Sequence, residues 1–107
     1  MTEDFERLFA QVREFGWDNE KRDRVLRERG IDFEELRFVF DGPTIALRSD
    51  RSGEARYMVC GFLDGLELVV ICTLRGGVCW IITARRASKN ERKEYHNRLP
   101  RRAPPEG

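Results

Sequence analysis

The sequence predicts an α+β domain: N-terminal helices packed on a four- to five-stranded antiparallel sheet, closed by a C-terminal helix. Three observations carry that reading. Apolar residues recur at helical spacing as far as Phe40, the pattern then turns strand-like between Thr44 and Ala84, and a second helical signal opens at Ser88. Helices that precede and follow a run of strands, rather than alternating with them, belong on the face of an antiparallel sheet. A chain of 107 residues can bury one modest core and not two.

Each element has its own signal. Phe5, Leu8, Phe9 and Val12 stand at i, i+3, i+4 and i+7 and line one face of a helix from Thr2 to about Arg13. "EFGW" (Glu14 to Trp17) reads as a short extended segment able to add a strand. Asp18 is placed to cap a second helix, Asn19 to Arg29, which Gly30 ends. Asp32 with Glu35 resembles a capping box for a third helix that turns Phe33, Leu36, Val39 and Phe40 to the core, and "DGP" breaks it. Strands follow at Thr44 to Arg48, Ala55 to Leu63, Leu66 to Leu74 and Val78 to Ala84. Asp64-Gly65 and Gly76-Gly77 are two-residue hairpin turns between them. The last strand is apolar on both faces, which places it near the middle of the sheet. Ser88 with Glu91 forms a second capping box, opening a helix that runs to His96 or Asn97 before Pro100 stops it. Residues 1–14 are then a helical extension, 15–97 the domain proper, and 98–107 a Pro-rich flexible tail.

Composition excludes several classes of chemistry. Cys60, Cys72 and Cys79 are odd in number, lie inside strand patterns and lack metal-ligand spacing, so they read as buried thiols in a reducing compartment. The single histidine, His96, builds neither a zinc site nor an acid–base pair. No metal and no cofactor are expected, and any chemistry must rest on Arg, Lys, Glu, Asp or Tyr. The longest apolar run, Leu68 to Leu74, is far short of the roughly 20 residues of a membrane helix, and "MTEDFERLF" is no signal peptide, so a cytoplasmic protein is expected. Net charge is only +1 but is dipolar: Thr83 to Arg102 carries eight basic residues against Glu91 and Glu94, whereas the first 82 residues carry 12 basic and 16 acidic side chains. Such asymmetry fits a polyanion at one end and a basic partner elsewhere.

Several segments occur together in fixed order: "FGWDNEK", "RGIDFEE" leading to "VFDGP", "GEARYMVCGFLDGLELVVICTLRGG" and "IITARRASKNERKEY". Over Phe15 to Tyr95 they resemble the BrnT family, the toxins of bacterial type II toxin–antitoxin modules. The resemblance implies a RelE-like ribonuclease fold, cleavage of RNA to inhibit translation, and neutralisation by a small antitoxin with a ribbon-helix-helix DNA-binding part. Contact with DNA would be indirect, through the antitoxin, and the sequence leaves open a homodimer. Trp17, Asp18, Lys21, Gly30, Phe33, Arg56, Arg75, Arg85, Arg86, Ala87, Glu91 and Tyr95 match the family's motifs. Val25, Arg29 and Trp80 depart from them, standing where the family usually has Asn, His and Arg. These departures support a second reading, a catalytically impaired relative that acts by binding antitoxin or RNA.

Metal-free RNA cleavage needs cations around a crowded dianionic phosphorane, together with a base and an acid. Arginines at strand ends suit the first role, since a planar guanidinium donates bidentate hydrogen bonds to phosphate and holds its charge. Arg85 is the expected principal cation, with Arg56 and Arg75 assisting. Lys21, Glu91 and Tyr95 are unranked candidates for proton transfer. Arg86, Lys89, Arg92 and Lys93 supply an RNA-binding surface. Strict alternation along the last strand would put Cys79, Ile81, Thr83 and Arg85 on one face and Val78, Trp80, Ile82 and Ala84 on the other. Trp80 is expected in the core with Trp17, Phe33 and Phe40, or else as a platform for a base.

Overall fold

The computed structural model describes residues 2–98. It contains α1 (Thr2–Phe9), β1 (Glu14–Trp17), α2 (Asn19–Arg29), a 3-10 turn (Phe33–Glu35), α3 (Arg37–Asp41), β2 (Ile45–Arg48), β3 (Tyr57–Leu63), β4 (Leu66–Arg75), β5 (Val78–Arg86) and α4 (Lys89–Arg98). The expected arginines at 101 and 102, the stop at Pro100 and all of the tail after Arg98 lie outside the described residues.

The five strands form one sheet in the order β1-β5-β4-β3-β2. The meander from β2 to β5 is antiparallel as expected. The sheet as a whole is mixed, however, because β1 pairs parallel to β5, Glu14 opposite Val78 and Trp17 opposite Ile81. From β1 the chain crosses one face through α2 and α3 before reaching β2 on the far edge. Strand direction after such a crossover is set by the number of later reversals, which four residues of local pattern do not carry. β5, flanked by β1 and β4, is an interior strand.

Local chemistry fixes the boundaries. The Asp18 side chain accepts from the Glu20 amide at 2.9 Å, and Gly30 ends α2 at φ 72° in the left-handed region. Asp64, Gly65, Gly76 and Gly77 have φ of 52°, 80°, 49° and 90°. Positive φ at both turn residues gives the hairpins a twist that matches their strands. The first helix stops at Phe9 rather than near Arg13, because the chain turns to place Arg13 N on the Gly77 carbonyl at 2.7 Å. The third helix is split. Asp32 accepts from the Glu34 amide and forms a two-bond pair with Arg22, which tightens the first turn to 3-10 geometry.

One face of the sheet carries all the helices before β2. Val25, Phe33, Leu36 and Val39 close on Leu68, Val70, Ile81 and Ala84. Phe5 of α1 is buried against Ala46, Tyr57, Cys72 and Cys79, and stacks with Phe9 at 5.4 Å. The N-terminal helix therefore shares the core of the domain. Gly61 is closely packed on this face, where an added Cβ would stand 2.6 Å from Val39 Cγ1 and 3.1 Å from Thr44 Cγ2. Gly61→Ala should lower stability by about 1–3 kcal/mol, the usual cost of overpacking; an unchanged urea midpoint would show that α3 gives way freely.

The opposite face is divided. At one end α4 covers Ile45, Cys60 and Val69 with Ala87 and Tyr95. Over the other end, where β4 and β5 present Thr73, Arg75 and Trp80, no helix packs among the described residues.

Candidate functional site

A bulge decides which side chains reach the open face. Opposite the consecutive pair Ile71 and Cys72, β5 places Thr83 and Ile81, so Ile82 is an extra residue. The extra residue corrects the expected alternation. Cys79, Ile81 and Ala84 all face the helical core, while Trp80, Thr83 and Arg85 pair with Thr73, Ile71 and Val69 on the other side. Arg85 therefore shares a face with Trp80 and not with Ile81, and Arg86 turns to the helix side opposite Leu68.

Arg85 is held by α4. Its Nη1 and Nη2 donate to Glu91 Oε1 and Oε2 at 2.7 and 2.8 Å. The Ser88 amide donates to the same carboxylate at 2.8 Å, and Ser88 Oγ accepts from the Glu91 amide at 3.2 Å, completing the capping box. The guanidinium, followed by the Ser88 bonds, holds the Glu91 carboxyl down to about 2. Glu91 is thus an anion at neutral pH and an anchor for Arg85. Because its folded value lies below the ordinary one, its contribution to stability is present above the unfolded carboxyl range and disappears as pH falls from about 5 to 2. Its side chain is 22% exposed and that of Arg85 39%, so solvent screening limits the effect to about 1–2 kcal/mol. Urea titrations of the parent and of Glu91→Gln should differ by that amount at pH 7 and converge near pH 2; a constant gap would remove the ionic explanation.

Tyr95 also belongs to the α4 anchor. It is 1% exposed, and its hydroxyl donates to the Pro43 carbonyl at 2.7 Å. Lys89 and Lys93 lie on the exposed side of α4, while Arg92 reaches the Ala87 carbonyl at 3.2 Å and Glu67 at 3.9 Å.

The open end of the same face carries a second cluster. A groove of about 220 Å³ is lined by Asp18, Lys21, Glu54, Arg56, Arg75 and Trp80. Asp18 and Lys21 come from the start of α2, Arg56 precedes β3, Arg75 ends β4 and Trp80 lies on β5. Glu54 joins them: Arg56 Nε donates to Oε1 at 3.0 Å and Arg75 Nη2 to Oε2 at 2.7 Å. Arg75, followed by Arg56, pulls the Glu54 carboxyl below its usual range, so it stays ionised. Thr73 Oγ1 donates to the Ala55 carbonyl at 2.9 Å and fixes the chain entering Arg56. The Arg75 guanidinium lies 5.6 Å from the centre of the Trp80 ring, whose edge rests on Gly16, where a Cβ would come within 2.8 Å. Trp80 is half-buried and lines the groove; it is not part of the core with Trp17 and Phe33.

Lys21, Arg56 and Arg75 are thus brought together, and Arg85 is not. Val69, opposite Arg85, and Arg75 lie on the same strand six residues apart, roughly 20 Å. Two of the departures noted above fall outside the groove. Val25 is in the helical core. Arg29 donates to the Ala84 carbonyl at 2.8 Å, covering β5 beyond the reach of β1. Glu54 stands inside the "GEAR" segment but is absent from the expected site residues, because its second partner is 21 residues away; the local signal was its place in the Arg51–Glu54 turn, two residues before Arg56. Among the described residues, no three His, Cys, Asp or Glu side chains are grouped to hold a metal ion, and no helix is long and apolar enough to cross a membrane.

Comparison with known proteins bears on this arrangement. A family model described as the ribonuclease toxin BrnT of type II toxin–antitoxin systems matches residues 17–91. Among solved structures, the crystal structure of the Brucella abortus ribonuclease toxin BrnT at 1.1 Å resolution is similar with a TM-score of 0.55. The match covers 73% of this chain and 100% of that one at 23% identity, a likeness of fold. No curated protein matches.

Proposed function

The chain belongs to the BrnT family of ribonuclease toxins of type II toxin–antitoxin systems, and from that premise we propose that it cleaves RNA without a metal ion and so inhibits translation. The observation that carries the reading is the groove in which Lys21, Arg56 and Arg75 meet on an uncovered sheet face. The two guanidiniums, aimed by Glu54, supply the positive charge that a metal would otherwise bring to the phosphorane. Asp18, which gives one carboxylate oxygen to the cap of α2, accepts the proton of the attacking 2′-hydroxyl. Lys21 donates a proton to the departing 5′-oxygen. The phosphorus thereby exchanges its 5′-oxygen for the 2′-oxygen, leaving a 2′,3′-cyclic phosphate and a 5′-hydroxyl. Trp80 offers its ring to a neighbouring base, and the exposed lysines of α4, farther along the same face, guide the strand. The antitoxin, a cytoplasmic location and the self-association of the toxin belong to the same proposal.

Incubating the purified chain with single-stranded RNA in excess chelator tests it. Fragments with cyclic-phosphate ends are expected, and Trp80→Ala should weaken RNA binding by about 1–3 kcal/mol. Cleavage that requires added divalent metal, or that leaves 5′-phosphates, would overturn the mechanism. The second reading, an impaired relative acting by binding, is favoured by Trp80 itself, an aromatic in the groove where an arginine is expected. RNA binding with no cleavage would establish it.

A further inference from the structure

At the far end of the sheet from the groove, Phe38 of α3 and Phe62 of β3 are 51% and 36% exposed. With Leu63 they line a depression of about 300 Å³ whose rim is Glu35 and Asp64. Leu66, 44% exposed, stands opposite Leu63. Single exposed apolar side chains are ordinary, but Phe38, Phe62 and Leu63 line one depression at the sheet end, with Phe62 also packed on Tyr95 and His96 of α4, and such a grouping is a surface that a partner covers. Pairing of β2 with β3 ends at Ile45 opposite Cys60, so among the described residues β3 has no strand on its outer edge from Gly61 to Leu63. Neither Glu35 nor Asp64 has an ion-pair partner among the described residues. Arg37 lies over the Phe38 ring at 5.3 Å, and the His96 ring lies 6.0 Å from that of Phe62.

We propose that this acid-rimmed aromatic surface is the docking site for a basic, apolar-anchored segment of the antitoxin. The identity of the partner rests on the toxin reading above; its chemistry rests on the two uncompensated carboxylates around apolar side chains. Phe62 is opposite Glu67, eight residues before Arg75 on β4, so the surface lies roughly 26 Å from the groove. Docking and RNA cleavage are therefore separable by mutation.

The probe is a fluorescein-labelled amphipathic peptide of lysine and leucine, titrated into the full-length chain beside the same peptide with glutamate for lysine. The lysine peptide should bind and the glutamate peptide should not. Phe38→Ala with Phe62→Ala should weaken binding about tenfold or more. Glu35→Gln with Asp64→Asn should weaken it several-fold and flatten its salt dependence, asparagine being tolerated at the positive φ of Asp64. The carboxylate variant should melt like the parent, the phenylalanine variant should stay folded but melt lower because Phe62 packs on Tyr95, and both should match the parent's behaviour toward RNA per folded molecule. Equal binding of the glutamate peptide, or unaltered binding by the phenylalanine variant, overturns the proposal. So does sedimentation showing that the parent self-associates and the phenylalanine variant does not, which would assign the surface to a second copy of the chain. If the parent fails to cleave RNA yet shows the expected peptide pattern, the nuclease reading falls and the docking surface stands.

Discussion

Arg75→Ala is expected to lower the rate of RNA cleavage by about 10²–10³-fold, or 3–4 kcal/mol in the barrier, with little loss of RNA affinity. Arg75 is the most accessible cation of the groove, with 57% of its side chain exposed. It engages Glu54 through Nη2 alone, so Nε and Nη1 remain to meet phosphate oxygens. Charge on those oxygens grows between the ground state and the phosphorane, and a donor already aimed by a carboxylate gains most from that growth. Arg75→Lys keeps the charge and removes the fork, so it should recover binding and little of the rate. Arg85→Lys is the contrasting variant. Both terminal nitrogens of Arg85 are engaged by Glu91, and its replacement should loosen α4 while leaving the rate per folded molecule near that of the parent. If Arg75→Ala cleaves within about threefold of the parent while Arg85→Lys falls a hundredfold, the reacting phosphate lies at the α4 end and the assignment is reversed.

The residue types of the groove and the meeting of Arg56 with Arg75 were legible in the sequence, but the joining of Lys21 and the separation of Arg85 were not. Lys21, Arg56 and Arg75 could be chosen because guanidinium and ammonium groups suit a phosphorane and because motifs marked them. Their convergence depends on β1 lying beside β5, which brings the start of α2 onto the same face as Trp80. Arg85 was read onto the wrong side of its strand for one physical reason. Strict alternation holds only while every residue has a partner, and Ile82 has none across the bulge. The hairpin turns and the capping box of α4 were legible because each is decided within four residues by left-handed glycine or by reciprocal side-chain bonds. The parallel edge strand and the Glu54 clamp are long-range events with no such local cause.

Tyr95→Ala should cost about 3–5 kcal/mol of stability, and Tyr95→Phe about 1–2 kcal/mol, with the cleavage rate per folded molecule unchanged in the latter. Tyr95 is among the largest fully buried side chains, set between Ile45, Cys60, Val69 and Ala87, with its ring centre 5.4 Å from that of Phe62 in an edge-on arrangement. Truncation to alanine leaves a cavity that α4 and two strands cannot both close. Phenylalanine fills the volume but strips the Pro43 carbonyl, just before β2, of the hydroxyl that donates to it at 2.7 Å. Burial pushes the phenol above its ordinary range, so at neutral pH the group is a neutral donor held on the Pro43 carbonyl. The pair of substitutions separates anchoring from chemistry. Thermal melting with chelator-resistant cleavage on the same samples decides between them: a Tyr95→Phe protein that melts like the parent but cleaves a hundredfold more slowly would make the hydroxyl catalytic and require α4 to open.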